Sequence, residues 1–301
     1  MLPGDASRFH TAFEAMVAEY PFDTTYIEGT QRRTKAVAAL IERLETTPCR
    51  ILSLGAGACD VEGVLSRMGH DVVAVDDLND DWHKLGENQT RIKDFAQSMD
   101  VEFVDEHIGP DSPLPGGEFD IVMALDVIEH IDAPRPFLNT AVTHLRTGGN
   151  LVLLTPNVAH LANRLRFLFG QSPSIDVEYM YWHLGPFRSH VNEYTLGELR
   201  WMLETHDLED IDATSINQSV AKMKGSTESR YRKVLLTIYD RVSGLRDQWK
   251  DTQIMWGQKP EGWSEIPPSI DAFSECHPQI RDNNLDTLST DEIIDAVTSE
   301  Q

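Results

Sequence analysis

Ile51-Leu52-Ser53-Leu54 is a short, mostly apolar run that ends in a glycine turn, Gly55-Ala56-Gly57. Beyond the turn the apolar period changes from that of a strand to that of a helix over residues 61–68. A strand that feeds a helix through so short a turn is half of a crossover connection, which joins parallel strands. The pattern recurs. Asp71-Val72-Val73-Ala74-Val75, Val101-Glu102-Phe103-Val104, residues 119–125 and residues 150–155 read as further strands. Helical spacing fills 82–99 and 134–145 between them. Alternation of this kind predicts an α/β fold, a mainly parallel, doubly wound sheet covered on both faces.

The glycines do more than close a turn. Gly55 and Gly57 allow the backbone to bend tightly and to approach a ligand where a Cβ would clash. The second strand ends in Asp76, with Asp77 beside it, roughly 20 residues beyond the turn. A carboxylate there can accept both hydroxyls of a ribose, so turn and acid together predict a nucleoside-containing cofactor. A dinucleotide site needs a third glycine to admit its pyrophosphate, and that position is Asp60. A carboxylate repels phosphate, which disfavours NAD and FAD and favours a cofactor without phosphates.

Composition narrows the partners. Against 26 basic side chains stand 49 acidic ones, a formal charge of −23. Phosphate backbones need clustered Lys and Arg, so nucleic acid is not expected, nor adhesion to an anionic membrane. With 18 Arg and 8 Lys, the acid excess fits a halophilic source or an ordinary acidic cytoplasmic protein. No apolar run approaches the roughly 20 residues of a membrane span, and residues 1–5 do not read as a signal peptide. Cys49, Cys59 and Cys276 are odd in number and lack CxxC spacing, so neither a disulfide framework nor a metal site is expected, and a reducing cytoplasm fits.

Residues 1–47 read as N-terminal helices, with an apolar helical period from 8 and again over 32–44. Residues 48–260 form the main domain, and 261–301, rich in Pro, Ser, Asp and Glu, read as an acidic, weakly ordered extension with one short helix over 291–297. In the second half Thr195 and Glu198 make a capping box for a helix over 195–205, a helix fills 231–249, and strands fall at 208–216 and 252–256.

The order of these motifs resembles the class I S-adenosylmethionine-dependent methyltransferases, in particular the small-molecule branch that includes quinone-biosynthesis and cell-surface-sugar methyltransferases. The matching pieces are Leu52-Ser53-Leu54-Gly55-Ala56-Gly57, Val73-Ala74-Val75-Asp76 and Phe119-Asp120-Ile121-Val122-Met123-Ala124-Leu125-Asp126-Val127-Ile128-Glu129-His130-Ile131. Leu145-Arg146-Thr147-Gly148-Gly149-Asn150-Leu151-Val152-Leu153, Thr155-Pro156-Asn157, Asn192-Glu193-Tyr194-Thr195-Leu196 and Trp256-Gly257-Gln258-Lys259-Pro260 follow. The resemblance implies a Rossmann-like, seven-stranded sheet with an antiparallel last strand, 252–257 inserted beside 208–216. It also implies S-adenosylmethionine as cofactor, with Gly55, Ala56, Gly57, Asp76 and Asp77 lining it. Asp105 would flank the adenine, and Asp126 would face the methionine end or the acceptor. Two departures stand out: Ser53 replaces the family's usual acid, and Cys59 its third turn glycine.

Methyl transfer needs alignment above all, and a hydroxyl acceptor also profits from a base. His130 is the first candidate, with His183 and His190 behind it. Residues 157–190 mix Arg with aromatics (Asn163-Arg164-Leu165-Arg166-Phe167, Tyr179-Met180-Tyr181-Trp182-His183 and Arg188-Ser189-His190) and read as an acceptor lid. Arg forks and aromatic faces suit an anionic or sugar-like group; the plainer alternative is a helix whose Leu161, Leu165, Leu168 and Phe169 cap the core. The expected chemistry is O-methylation of a small molecule or of a glycan or lipid-linked precursor. Two rivals are an NAD-dependent oxidoreductase on a similar sheet and a catalytically silent binding protein.

Overall fold

Strands that are apolar on both sides can be satisfied only between two helical layers. A computed structural model describes residues 6–45, 48–109, 112–173, 177–184 and 190–277, with Ser289, Glu292 and Ile294. The chain divides into two units, Met1–Ser264 and Glu265–Gln301. In the first, α1 (Ala6–Glu19) and α2 (Thr25–Leu44) precede β1 (Arg50–Leu54), α3 (Asp60–Arg67), β2 (Asp71–Val75), α4 (Asn88–Ser98), β3 (Glu102–Val104) and β4 (Phe119–Leu125). Next come α5 (Pro134–Thr143), β5 (Leu145–Pro156), α6 (Leu161–Leu168), α7 (Val177–Trp182) and α8 (Leu196–Thr205). The unit closes with β6 (Glu209–Ile216), α9 (Gln218–Ser226), α10 (Arg230–Ser243) and β7 (Thr252–Gln258). The second unit contributes α11 (Ile270–Cys276). Most of 291–297, like Arg188 and Ser189, lies outside the described residues.

The seven strands run in the order β3-β2-β1-β4-β5-β7-β6. β1 pairs in parallel with β2 and β4, and β7 runs antiparallel to both β5 and β6, as the resemblance implies. Successive side chains of a strand face opposite ways. Ile51 therefore joins the core beneath α1–α4, while Leu52 and Leu54 join the one beneath α5 and α8. Ser53 shares the face of Ile51 and looks toward α3. The capping box of α8 is present, with Thr195 Oγ1 accepting from the Glu198 amide and the Glu198 side chain bonded to the Thr195 amide.

Several boundaries differ from expectation. α2 starts at Thr25 rather than 32, because the Asp23 carboxylate accepts the Thr25 amide at 3.0 Å and begins the helix early. α4 starts only at Asn88, since the Asn88 side chain bonds the Trp82 carbonyl at 2.8 Å and folds 82–87 into turns. β5 reaches back to Leu145, which pairs with Phe119 before the register shifts. The helix expected over 231–249 stops at Ser243, and a separate short turn covers Asp247–Trp249. No described helix is long and apolar enough to cross a membrane.

The N-terminal helices are structural. Phe9, Phe13 and Met16 of α1 and Val37, Leu40 and Ile41 of α2 are buried in the same core as Ile51 and Val72. Met16 is fully buried. Met16→Ala is expected to lower the unfolding free energy by about 2–4 kcal/mol in urea denaturation, as one cooperative transition. An unchanged midpoint would detach α1 from the folded core.

Candidate active site

The turn after β1 is pinned to β2, with the Gly55 and Ala56 amides donating to the Val75 carbonyl at 2.8 and 3.2 Å. Gly55 has φ +75°, and a Cβ on it would lie 2.5 Å from Val127 Cγ2, so only glycine fits. Gly57 has φ +53° and nothing within 4 Å of where a Cβ would stand, so its backbone borders open space. The Asp76 carboxylate lies across the turn, accepting from the Gly57 amide through Oδ2 and the Leu78 amide through Oδ1, each at 2.8 Å. Burial pushes its carboxyl up. Cys59 takes a left-handed φ of 58° without being glycine and is fully buried. Burial raises its thiol well above the ordinary range, so the sulfur packs rather than reacts.

Asp77 and Asp105 are placed differently from Asp76. Asp77 accepts the Asn79 amide and meets His107 Nδ1 at 3.2 Å. Asp105, expected to flank a cofactor's adenine, pairs instead with Lys93 of α4 at 2.6 Å. That pair is part of a surface cavity of about 560 Å³ with Asp100, Glu102 and Phe103. His107 is the loop residue that reaches Asp77, two positions beyond β2.

Sequence reasoning missed the residue that joins the site together. Arg33, in the middle of α2, is buried, with its guanidinium paired to Asp126 and lying 3.8 Å from Asp60 Oδ2. Asp126 ends β4 in a left-handed turn, φ 56°, with its amide donating to the Leu154 carbonyl at 2.7 Å. Arg33 Nε and Asp60 Oδ2 are buried without a hydrogen-bond partner. The only signal was the position of a cation among the apolar residues of an N-terminal helix.

Ser53 is answered from α3. Its Oγ donates to Glu62 Oε1 at 2.6 Å, and Glu62 is buried beside Asp60. Burial pushes the Glu62 carboxyl up to about 7, the Ser53 hydrogen bond opposing and the Asp60 charge adding. An acid thus stands against the strand position where Ser53 lacks one.

Beyond β4, Glu129 is completely buried; Thr155 Oγ1 donates to its Oε2 at 2.8 Å, and Oε1 has no partner. Burial and then the Asp126 charge push its carboxyl up to about 7. The rings of His130 and His190 lie 5.0 Å apart, centroid to centroid. His190 Nδ1 is 2.6 Å from Glu193 Oε1, a hydrogen bond that raises the imidazole's pKa. Glu129, His130 and His190 offer donor atoms within 4.8 Å of one another, a set suited to a divalent cation that spacing alone did not reveal. His183 is not with them; its Nε2 pairs with Asp81 at 2.9 Å beside a separate cavity of about 420 Å³. The idea that α6 caps the core fails also, because Leu165, Leu168 and Phe169 are exposed.

Residues 29–213 match the family described as a methyltransferase domain. A ubiquinone biosynthesis O-methyltransferase of Xanthomonas axonopodis pv. citri is 26% identical over 115 residues, 38% of this chain and 46% of the relative. The chain thus spans about half the length of the curated relatives it matches. An O-methyltransferase family protein of Burkholderia thailandensis shares the fold with a TM-score of 0.50 at 16% identity, over 85% of this chain and 63% of that one. The phosphoethanolamine N-methyltransferase 2 of Haemonchus contortus, in complex with S-adenosyl-L-methionine, gives a TM-score of 0.48 at 15% identity over 76% of this chain and 53% of that one.

The raised Glu62 carboxyl has a measurable sign. Its folded pKa exceeds the unfolded value, so its contribution is fully present below about pH 4.5 and is lost as pH rises through about 7. Glu62→Gln removes that dependence. The variant should gain about 2 kcal/mol over wild type at pH 8 and little at pH 5, read by chemical denaturation. Parallel stability curves for the two proteins would refute the buried, proton-shifted acid.

Proposed function

This chain belongs to the methyltransferase-domain family that residues 29–213 match, and on that premise we propose that it moves a methyl group from S-adenosylmethionine to a hydroxyl of a small-molecule, sugar-linked or lipid-linked acceptor. The observation that carries the reading is the grouping at the carboxyl ends of β1, β2 and β4, where Asp76 accepts the Gly57 amide and Arg33 meets Asp126 and approaches Asp60. Arg33 Nε and Asp60 Oδ2 are buried there without a hydrogen-bond partner, a donor and an acceptor whose charges match an amino acid's carboxylate and ammonium. Asp60, Glu62, Asp76 and Asp126 surround the place where a dinucleotide would put its phosphates, which counts against NAD.

Arg33 would hold the carboxylate of the amino-acid end, Asp60 its ammonium and Asp76 the sugar hydroxyls, with Gly57 leaving room for close approach. When bound, S-adenosylmethionine supplies a methyl carbon made electrophilic by its sulfonium, so the protein's task is alignment. His190 is the better base. Glu193 engages Nδ1, which leaves Nε2 to take the acceptor's hydroxyl proton and keeps the ring oriented. His130 borders the same space, edge to face with His190. Oxygen as the methylated atom rests on the curated relatives' printed activity and on this base.

Calorimetric titration with S-adenosylhomocysteine and with NADH separates the two donors. The expected result is binding of the first alone, weakened about tenfold or more in Asp76→Ala and in Arg33→Ala. Incubation of cell extract with labelled S-adenosylmethionine and the protein, followed by mass identification, names the acceptor. His190→Ala should lower turnover about a hundredfold while leaving S-adenosylhomocysteine affinity intact. Tight homocysteine-adduct binding with no labelled product in any extract would favour the silent relative.

A further inference from the structure

α10 is an inside-out amphipathic helix. Tyr231, Val234, Leu235, Ile238, Val242 and Leu245 fall on one helical stripe, which continues one turn beyond α10. All six face solvent, with exposures from 39% at Val242 to 74% at Leu245. Tyr239, Asp240 and Ser243 turn inward instead. Asp240 accepts from Asn217 and Lys224 at 2.8 and 3.0 Å, and Ser243 Oγ accepts from Asn217 at 2.8 Å. Tyr239 Oη accepts the Ala162 amide of α6 at 3.1 Å, tying the two helices together. α6 adds Phe167, Leu168 and Phe169, each 70% exposed or more.

Charge distinguishes the possible covers. α10 carries Arg230, Arg232, Lys233 and Arg241 against the single acid Asp240, which is already engaged inward. α6 carries Arg164 and Arg166 and no acid. In a chain of −23, the apolar surface is therefore flanked by exposed cations. A second copy meeting this face by two-fold symmetry would set those cations against their own kind. A bilayer with anionic headgroups matches both features, since apolar side chains enter the headgroup boundary while Lys and Arg meet lipid phosphate. The net charge that argues against membrane adhesion is an average, and at about 8 Å of screening the local pattern governs contact.

We propose that the outer faces of α10 and α6 seat this protein on an anionic lipid surface. α6 follows β5 directly, and the Thr155 of β5 holds Glu129. The choice of a lipid-linked acceptor rests on the methyltransferase reading; the lipid seat itself does not.

The test is flotation of the full chain with phosphatidylcholine vesicles, with and without phosphatidylglycerol. The protein should float with the phosphatidylglycerol vesicles and release as salt is raised. Arg232→Glu with Lys233→Glu should lower the bound fraction about tenfold or more, and so should Leu235→Asp with Ile238→Asp. Near-ultraviolet circular dichroism should match wild type in both, which separates lost seating from lost folding. Wild-type protein that stays down with phosphatidylglycerol vesicles overturns the proposal. A dimer in sedimentation that Ile238→Asp dissolves, without flotation, overturns it in favour of self-association. S-Adenosylhomocysteine is titrated in parallel. Flotation without its binding supports the seat and refutes the donor, whereas binding without flotation does the reverse.

Discussion

The pairing of Arg33 with Asp126, with Asp60 at 3.8 Å, is the constraint on which the candidate site depends. It reaches from a helix that precedes the sheet to the carboxyl end of β4 and to the first residue of α3. A buried cation with one engaged and one approached carboxylate is tolerable only while the set stays together, because removing a partner leaves an uncompensated charge out of water. The site is thus coupled to the seating of α2. That helix is held by Ile27, Val37, Leu40 and Ile41 in the core beneath one face of the sheet. Packing on that face and charge arrangement in the candidate site are one problem for this chain.

The same group explains how the turn after β1 works without its customary acid. Ser53 cannot bring a charge to the strand, but α3 supplies two buried carboxylates within its first turn, Asp60 and Glu62. Glu62 is held by Ser53 itself. Acids at a helix N-terminus are favoured by the helix dipole, yet here burial outweighs that effect, and both carboxyls are pushed up rather than down.

Much of this architecture was legible in the sequence because its signals are local. The change of period at Gly55, the strand-end Asp76 and the Thr195–Glu198 capping box each depend on residues a few positions apart. The seven strands and the antiparallel one inserted beside 208–216 came with the resemblance. What escaped was decided across long separations. Arg33 meets Asp126 across a sequence separation of 93, and Ser53 finds its acid on the next helix. Asp105 pairs with Lys93 of α4, and His183 pairs with Asp81 apart from the Glu129, His130 and His190 group. The Glu129–His130–His190 grouping was half visible, since two of its members are adjacent, but only the fold adds the third.

α6 and α10 show why periodicity alone cannot orient a helix. Apolar residues at helical spacing state that one face differs from the other; they do not state which face turns inward. In α6 and α10 the answer comes from hydrogen bonds. Asn217, buried at the end of β6, commits its side-chain amide to Asp240 and Ser243, and Tyr239 receives the Ala162 amide. Once those polar groups are satisfied against the domain, the geometry of a 3.6-residue turn forces Leu235 and Ile238 to the opposite side. A helix built to cap the core would have its polar residues in water, where they need no such partners. The exposure of the apolar stripe therefore follows from how its reverse side is hydrogen-bonded.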